Sequence, residues 1–542
     1  MTRWSSLLRR MFVVSMIALA CLAGPAWCAE PDWSKVPGVV VAHSPAATRI
    51  YLGSPGICIL PDGTYLAKCD LFGLGAPKEA GPITRLFRST DRGQSWAHLC
   101  DVERLFWASV FPHRGAVYLL GCGGKSGREA VIRRSTDGGR TWSEPVDEKT
   151  GRLRAEGVHH CAPTPVIEHK GRLWRGMEVV VGRGWGHPFQ AMMMSVPVDA
   201  DLLDASAWTF SDPLPSDPSW LGGEFGGWLE GNAVPTPDGR IVNILRVHYL
   251  PTGGKAAVVE VSDDGKQSRS DPNTGFIDCP GGCKKLNIRF DPVSKQYWNV
   301  SNWIPPWDQG GNPERTRNTM ALSCSEDLVH WTVKTIVVYH PDLAEHGFQY
   351  IDWVFDGDDI AALSRTACDD GLGGAHNQHD ANFITFHRIA GFRDLSMKDS
   401  APVERIEETI VETDGFTVLG YGFEKAHFGE GTQAFGNRQY VWKDVPDRLD
   451  DYGACTRTHG GERARIFVRA KRDCSVYVAT AMGAGAYDML KWTPVEDGMF
   501  RYTDRSETGM RVYSRDFKAG EQGCVQQCGW TGTVVLLPTP GE

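Results

Sequence analysis

The sequence predicts an all-β chain, a six-bladed β-propeller over residues 29–395 followed by a smaller β-sandwich-like domain over 396–542. Three observations carry that expectation. Ser89-Thr-Asp91-Arg-Gly93-Gln-Ser-Trp96 and Ser135-Thr-Asp137-Gly-Gly139-Arg-Thr-Trp142 obey one pattern, S-x-D-x-G-x-x-W, each after a strand-like run. Weaker markers continue at Ser195 to Trp208 with Asp199, at Ser262-Asp-Asp264-Gly265, and at Ser325-Glu-Asp327-Leu-Val-His-Trp331, so the five serines start 46, 60, 67 and 63 residues apart. Short apolar runs beside Asp-Gly turns, such as Ile57-Cys-Ile-Leu60 and Ile241-Val-Asn-Ile-Leu245, have strand length rather than helix length.

In chain order, the first element is a leader. Arg3, Arg9 and Arg10 precede an apolar run from Met11 to Ala23, and Ala26 and Cys28 are the small residues before a cut, so residues 1–28 read as a secretory signal peptide and the mature chain as secreted or periplasmic. No later segment is apolar enough to span a membrane. From about Val39 to Leu395 the chain divides into six units of roughly 60 residues, the size of a four-stranded blade. In each marker the glycine supplies a positive φ, the aspartate bonds the backbone two residues on, and the tryptophan folds back as a plug between strands. After Leu395 a charged stretch, Met397 to Glu408, leads into β-type runs ending in Gly532-Thr-Val-Val-Leu-Leu537, which read as a separate sandwich.

The net charge of −9 is spread without basic blocks, which excludes nucleic acid and anionic membranes as natural partners. Cys21 and Cys28 leave with the leader, and 13 of the 15 cysteines remain in an oxidising compartment. Cys279 with Cys283, and the late group Cys455, Cys474, Cys524 and Cys528, are the candidates for disulfides. No motif asks for a cofactor, and no closed metal-ligand spacing is present.

The two clean repeats are Asp boxes, and the chain resembles the sialidase superfamily of Asp-box β-propellers. Trp228-Leu-Glu230-Gly-Asn, followed by Asp238-Gly239 and Arg246, resembles the sialidase segment in which a glutamate precedes a hairpin and an arginine follows on the next strand. The resemblance implies that Glu230 activates a tyrosine nucleophile and that Arg246 is one of three arginines clamping a substrate carboxylate. Arg317 matches the family's third arginine, with Arg315 as the alternative. A guanidinium fork suits a carboxylate geometrically.

Two positions depart from the family pattern. The first arginine falls on Gly53, with Arg49 nearby, and the tyrosine falls on Phe348, with Tyr350 two positions on and on the same strand face by alternation. Asp70 is the candidate acid, and Glu79 lies closer to the family's spacing. One polar stretch is foreign to the family: Gly373-Gly-Ala-His376-Asn-Gln-His379-Asp380-Ala-Asn382, running on to His387 and following Arg365. With His159-His160 in the third blade it offers general acids or bases, and Arg365 and Asp380 join the candidate substrate-binding residues. Trp185, Trp220, Trp228, Trp303, Trp307 and Trp353 stand in glycine- or proline-rich loops, where one or two are expected to stack on sugar.

These features together predict an exo-acting glycosidase that releases an acidic sugar from an oligosaccharide or polysaccharide. A uronate hydrolase or lyase using histidine or tyrosine is the second reading. A non-catalytic carbohydrate-binding propeller is the third, and it is favoured if Glu230 and Asp70 face away from the axis.

Overall fold

A computed structural model describes residues 30–124, 127–309, 311–403, 409–461, 464–482, 489, 491–527 and 530–539. The leader, with Cys21, and Cys528 lie outside the described residues. Six sheets form the propeller. Blades 1 to 5 span 51–103, 105–154, 159–210, 228–278 and 288–339, and blade 6 is built from Gly347–Asp356, Asp359–Ala367, Phe383–Ile389 and the N-terminal strand Val39–His43.

That last pairing closes the ring. Val39–His43 runs antiparallel to Phe383–Ile389, so the start of the propeller is the outer strand of its final blade and the sheet has no seam to open. Apolar side chains bury themselves between successive blades. Leu52 and Ile57 of blade 1 meet Leu363 and Phe386 of blade 6, and Trp298 of blade 5 packs with Trp353 of blade 6.

The Asp boxes connect the third and fourth strands of their blades, and their chemistry differs in detail from the sequence expectation. The Gly93 N–H donates to Ser89 Oγ at 2.8 Å, while Asp91 Oδ1 accepts from the N–H of Ser95, four residues on, at 2.9 Å. Trp96 Nε1 closes the turn on Gly93 O at 3.2 Å, and Gly93 has φ 89°. The turn at Asp137 repeats this arrangement, and Ser325 to Trp331 forms it with Leu328 at φ 71° in the glycine position. The marker at Ser195 is not a box: Ser195 Oγ accepts from Arg172, and Asp204, not Asp199, caps the following turn.

The last propeller strand ends at Ile389 and the first strand of the second domain begins at Thr409. That domain packs a four-stranded sheet on a seven-stranded one, with Val418, Ile466 and Val468 facing Val476, Val478 and Val535. It touches the propeller through Arg465, whose guanidinium reaches Asp308 at 2.8 Å. No helix among the described residues is long and apolar enough to cross a membrane.

Candidate active site

One backbone device recurs around the axis. The inner strands of blades 1, 2, 4 and 6 break register between Gly53 and Gly56, Phe106 and Ser109, Leu229 and Asn232, and Gln349 and Asp352. Within those bulges Ser54, Trp107, Glu230 and Tyr350 have φ of 47°, 57°, 61° and 53°. Left-handed backbone at a non-glycine residue costs about 1–3 kcal/mol, and a bulge re-aims the extra side chain. Two of the four residues are Glu230 and Tyr350. Alternation, the sequence argument for Tyr350, does not operate here: Phe348 is buried between blades 5 and 6, and the bulge delivers Tyr350.

The two side chains meet at Arg246. Its Nη1 lies 3.1 Å from Glu230 Oε2 and 3.5 Å from Tyr350 Oη, while Nη2 lies 3.3 Å from Glu314 Oε1. Tyr350 belongs to blade 6 and Arg246 to blade 4, so the contact spans the axis. Burial opposes the charge on Arg246, but Glu230 and Glu314 hold it protonated. Beneath the Tyr350 bulge, Lys285 Nζ donates to Ile351 O at 2.8 Å, and burial pushes that ammonium down to about 8.

Two more guanidinium groups flank the Tyr350 ring, Arg317 at 5.5 Å and Arg365 at 5.1 Å from its centre. Arg317 donates to Glu314 O and to the Gln349 amide oxygen, both at 2.8 Å, and forms no ion pair among the described residues. Arg365 reaches the position that the sequence comparison left to Gly53: a Cβ there would lie 3.3 Å from its Nη1, so the guanidinium occupies the space beside that glycine. Arg49 and Arg315 are exposed and take no part.

The polar stretch after Arg365 divides. His379 joins the cluster, its Nδ1 3.1 Å from Arg365 Nη2 and 2.8 Å from Asp380 Oδ1, and the charge of Arg365, with burial, holds the imidazole down to about 3. Asp380 stands 3.9 Å from Arg365. His376 is exposed and stacks on Tyr51 at the rim. His387 is buried against Thr385 Oγ1 in the third strand of blade 6, a structural position.

Asp70 requires a correction. It is fully buried, with Oδ1 taken by Thr84 Oγ1 at 2.7 Å and Lys68 Nζ at 3.2 Å, and Oδ2 by the Trp107 N–H at 2.7 Å. These are the contacts of an anchor for the Trp107 bulge, not of a proton donor facing substrate. Glu79 is exposed in a loop.

His160 stands against that same bulge. Its ring packs 4.6 Å from Trp107 and 4.9 Å from Phe189, with Trp185 at 6.0 Å, and its Nδ1 is 2.8 Å from Glu178 Oε2. His159 is buried against Glu156 O at 3.0 Å. Among the named tryptophans, Trp228 and Trp353 are core residues, whereas Trp185 is 53% exposed.

Sequence reasoning missed Glu314, Trp107, Lys285 and Glu178. Only Glu178 carried a signal, a carboxylate within the apolar strand Met177-Glu-Val-Val180. Among the described residues Cys279, Cys283, Cys455, Cys474 and Cys524 are free thiols, and Cys122 and Cys161 approach to 3.6 Å.

No family model matches the chain, and no curated protein does. Among solved structures the chain is similar to a Hadza microbial sialidase, at 14% identity over 66% of this chain and 69% of that one, with a TM-score of 0.44. It is also similar to a Penicillium chrysogenum alpha-L-arabinanase complexed with arabinobiose, at 14% identity over 66% and 98% of the chains and a TM-score of 0.42. Trypanosoma rangeli sialidase in complex with sialic acid shares 10% identity over 93% and 89%, with a TM-score of 0.42. Such distant likenesses carry nothing about this chain's substrate.

Proposed function

We propose that the chain is an exported glycosidase that removes an acidic sugar from a glycan. One observation carries this reading: Arg317 and Arg365 flank Tyr350 with little carboxylate of their own to neutralise them, Arg317 bonding neutral oxygens and Arg365 standing 3.9 Å from Asp380. A substrate carboxylate completes that arrangement with charge-assisted, forked hydrogen bonds. The Nε atoms of Arg246 and Arg365 are buried without partners, which adds unspent donors at the same place.

Tyr350 is then the nucleophile and Glu230 its base, both held at Nη1 of one guanidinium. Arg246 bridges them and stabilises the phenolate that develops as the proton leaves. A purely binding propeller has no use for a strained tyrosine beside a strained glutamate. The lyase reading keeps one support, the neutral His379, whose ring centre is 6.2 Å from that of Tyr350.

The test is incubation with a panel of sialosides and uronate-terminated oligosaccharides, reading products by mass and unsaturated uronate by absorbance. Release of an intact acidic sugar, reduced at least about 100-fold in Tyr350→Phe and in Glu230→Gln, is expected. Unsaturated products assign the lyase instead, and binding without turnover assigns the lectin.

A further inference from the structure

With Asp70 sequestered, the leaving oxygen needs another proton source. The aromatic wall formed by blades 2 and 3 holds one. His160 lies in the two-residue inner strand His159–His160 of blade 3 and packs on Trp107, whose bulge in blade 2 matches the bulges that present Glu230 and Tyr350. Through Glu178 it is joined to the bulge that carries Glu230. Its Nδ1 is committed to Glu178, 2.8 Å away, and no hydrogen bond among the described residues takes its Nε2.

Glu178 is fully buried and uses both oxygens. Oε2 meets His160, while Oε1 accepts the N–H of Gly231 at 3.0 Å, the residue next to Glu230. One carboxylate thus sets the ring of His160 and the backbone that carries Glu230. A buried carboxylate on Nδ1 fixes the imidazole's orientation and leaves Nε2 to exchange a proton. Trp185, half-exposed and 6.0 Å from the ring, adds an apolar face beside it of the kind that stacks on sugar.

We propose that His160, oriented by Glu178, is the general acid and base for the leaving group, and that Glu178 is a positioning residue. This rests on the glycosidase reading above. In the first half-reaction Tyr350 Oη bonds the anomeric carbon and passes its proton to Glu230. The glycosidic C–O bond breaks with its electron pair on oxygen, which takes the proton of His160 Nε2. In the second, water gives a proton to His160 Nε2 as its oxygen bonds the anomeric carbon. The bond to Tyr350 breaks, and Glu230 returns the proton to the phenolate. Water is added across the glycosidic bond and every protein group is restored.

The test compares leaving groups. Wild-type, His160→Asn and Glu178→Gln proteins are assayed on the 4-nitrophenyl and methyl glycosides of glucuronic acid and of N-acetylneuraminic acid, with folding followed by circular dichroism. A nitrophenolate departs without a proton and a methoxide does not. His160→Asn is expected to lose at least about 100-fold on the methyl glycoside and under about 5-fold on the nitrophenyl glycoside, with Glu178→Gln intermediate. Equal losses on both, or none, overturn the proposal and leave the glycosidase reading standing. If His160→Asn fails to fold, the same ratio is read in Glu178→Gln, which keeps an acceptor for the ring. A wild-type chain that cleaves none of the four removes the reading and the proposal together.

Discussion

Glu314 shows how a single unforeseen carboxylate tunes the site. It pairs with His248, Nδ1 standing 2.6 Å away, and accepts from Arg246 at 3.3 Å. Burial favours its neutral form, but those partners pull it from 4.5 down to about 2. A carboxyl lowered on folding binds fewer protons in the native state, so its contribution is complete above about pH 4.5 and fades as pH falls toward 2. The contribution is about 3 kcal/mol. We expect stability measured in urea to fall across that window, and Glu314→Gln to flatten the fall; an unchanged slope in the variant rejects this account. Sequence alone had no route to Glu314, since nothing local distinguishes it from a loop acid in Asn312-Pro-Glu-Arg315.

The inner-strand bulge is the element that turns a strand into a functional surface. In blade 4 it depends on Gly231, where an added Cβ would stand 2.1 Å from Asn243 Oδ1. The neighbouring blade leans on the same spot, because a Cβ on Gly176 would lie 2.4 Å from Gly231 O. Gly231→Ala is therefore expected to cost about 1–3 kcal/mol and to displace Glu230 and the Glu178 hydrogen bond together. Gly239→Ala, at φ 80° with open space around it, is expected to cost about 1 kcal/mol with activity unchanged. Urea titration and turnover of both variants check the contrast, and equal effects on activity count against the bulge as the organising element.

At the scale of the molecule, the second domain is tied to the segment that carries Arg317. Arg465 pairs with Asp308, which is fully buried and also accepts from Asn318 Nδ2 at 2.9 Å, next to Arg317. A cavity of about 370 Å³ opens beside this joint, lined by Pro251, Asp308, Pro313, Thr316 and Gln522. Removing one partner of a buried pair leaves the other uncompensated, at about 3–5 kcal/mol. Arg465→Met is expected to separate the melting of propeller and sandwich in calorimetry and to raise KM for the acidic substrate. A single unshifted transition shows that the domains are joined by other means.

What the sequence determined by itself is the repeating architecture. The box turns at Asp91, Asp137 and Asp327 form from hydrogen bonds within seven residues, and strands of blade length lie between them, so both are local chemistry and visible in one dimension. The resemblance to sialidases pointed to Glu230 and Arg246, but its tyrosine spacing fell on Phe348, and Tyr350 reaches Arg246 through a bulge that spacing does not foresee. The ring closure alone decided the rest. Arg365 reaches the space beside Gly53, Asp70 anchors the Trp107 bulge of the next blade, and Glu178 reaches from blade 3 to the Glu230 bulge of blade 4. Those distances follow from how six sheets pack around a common centre, and no pattern along the chain encodes them.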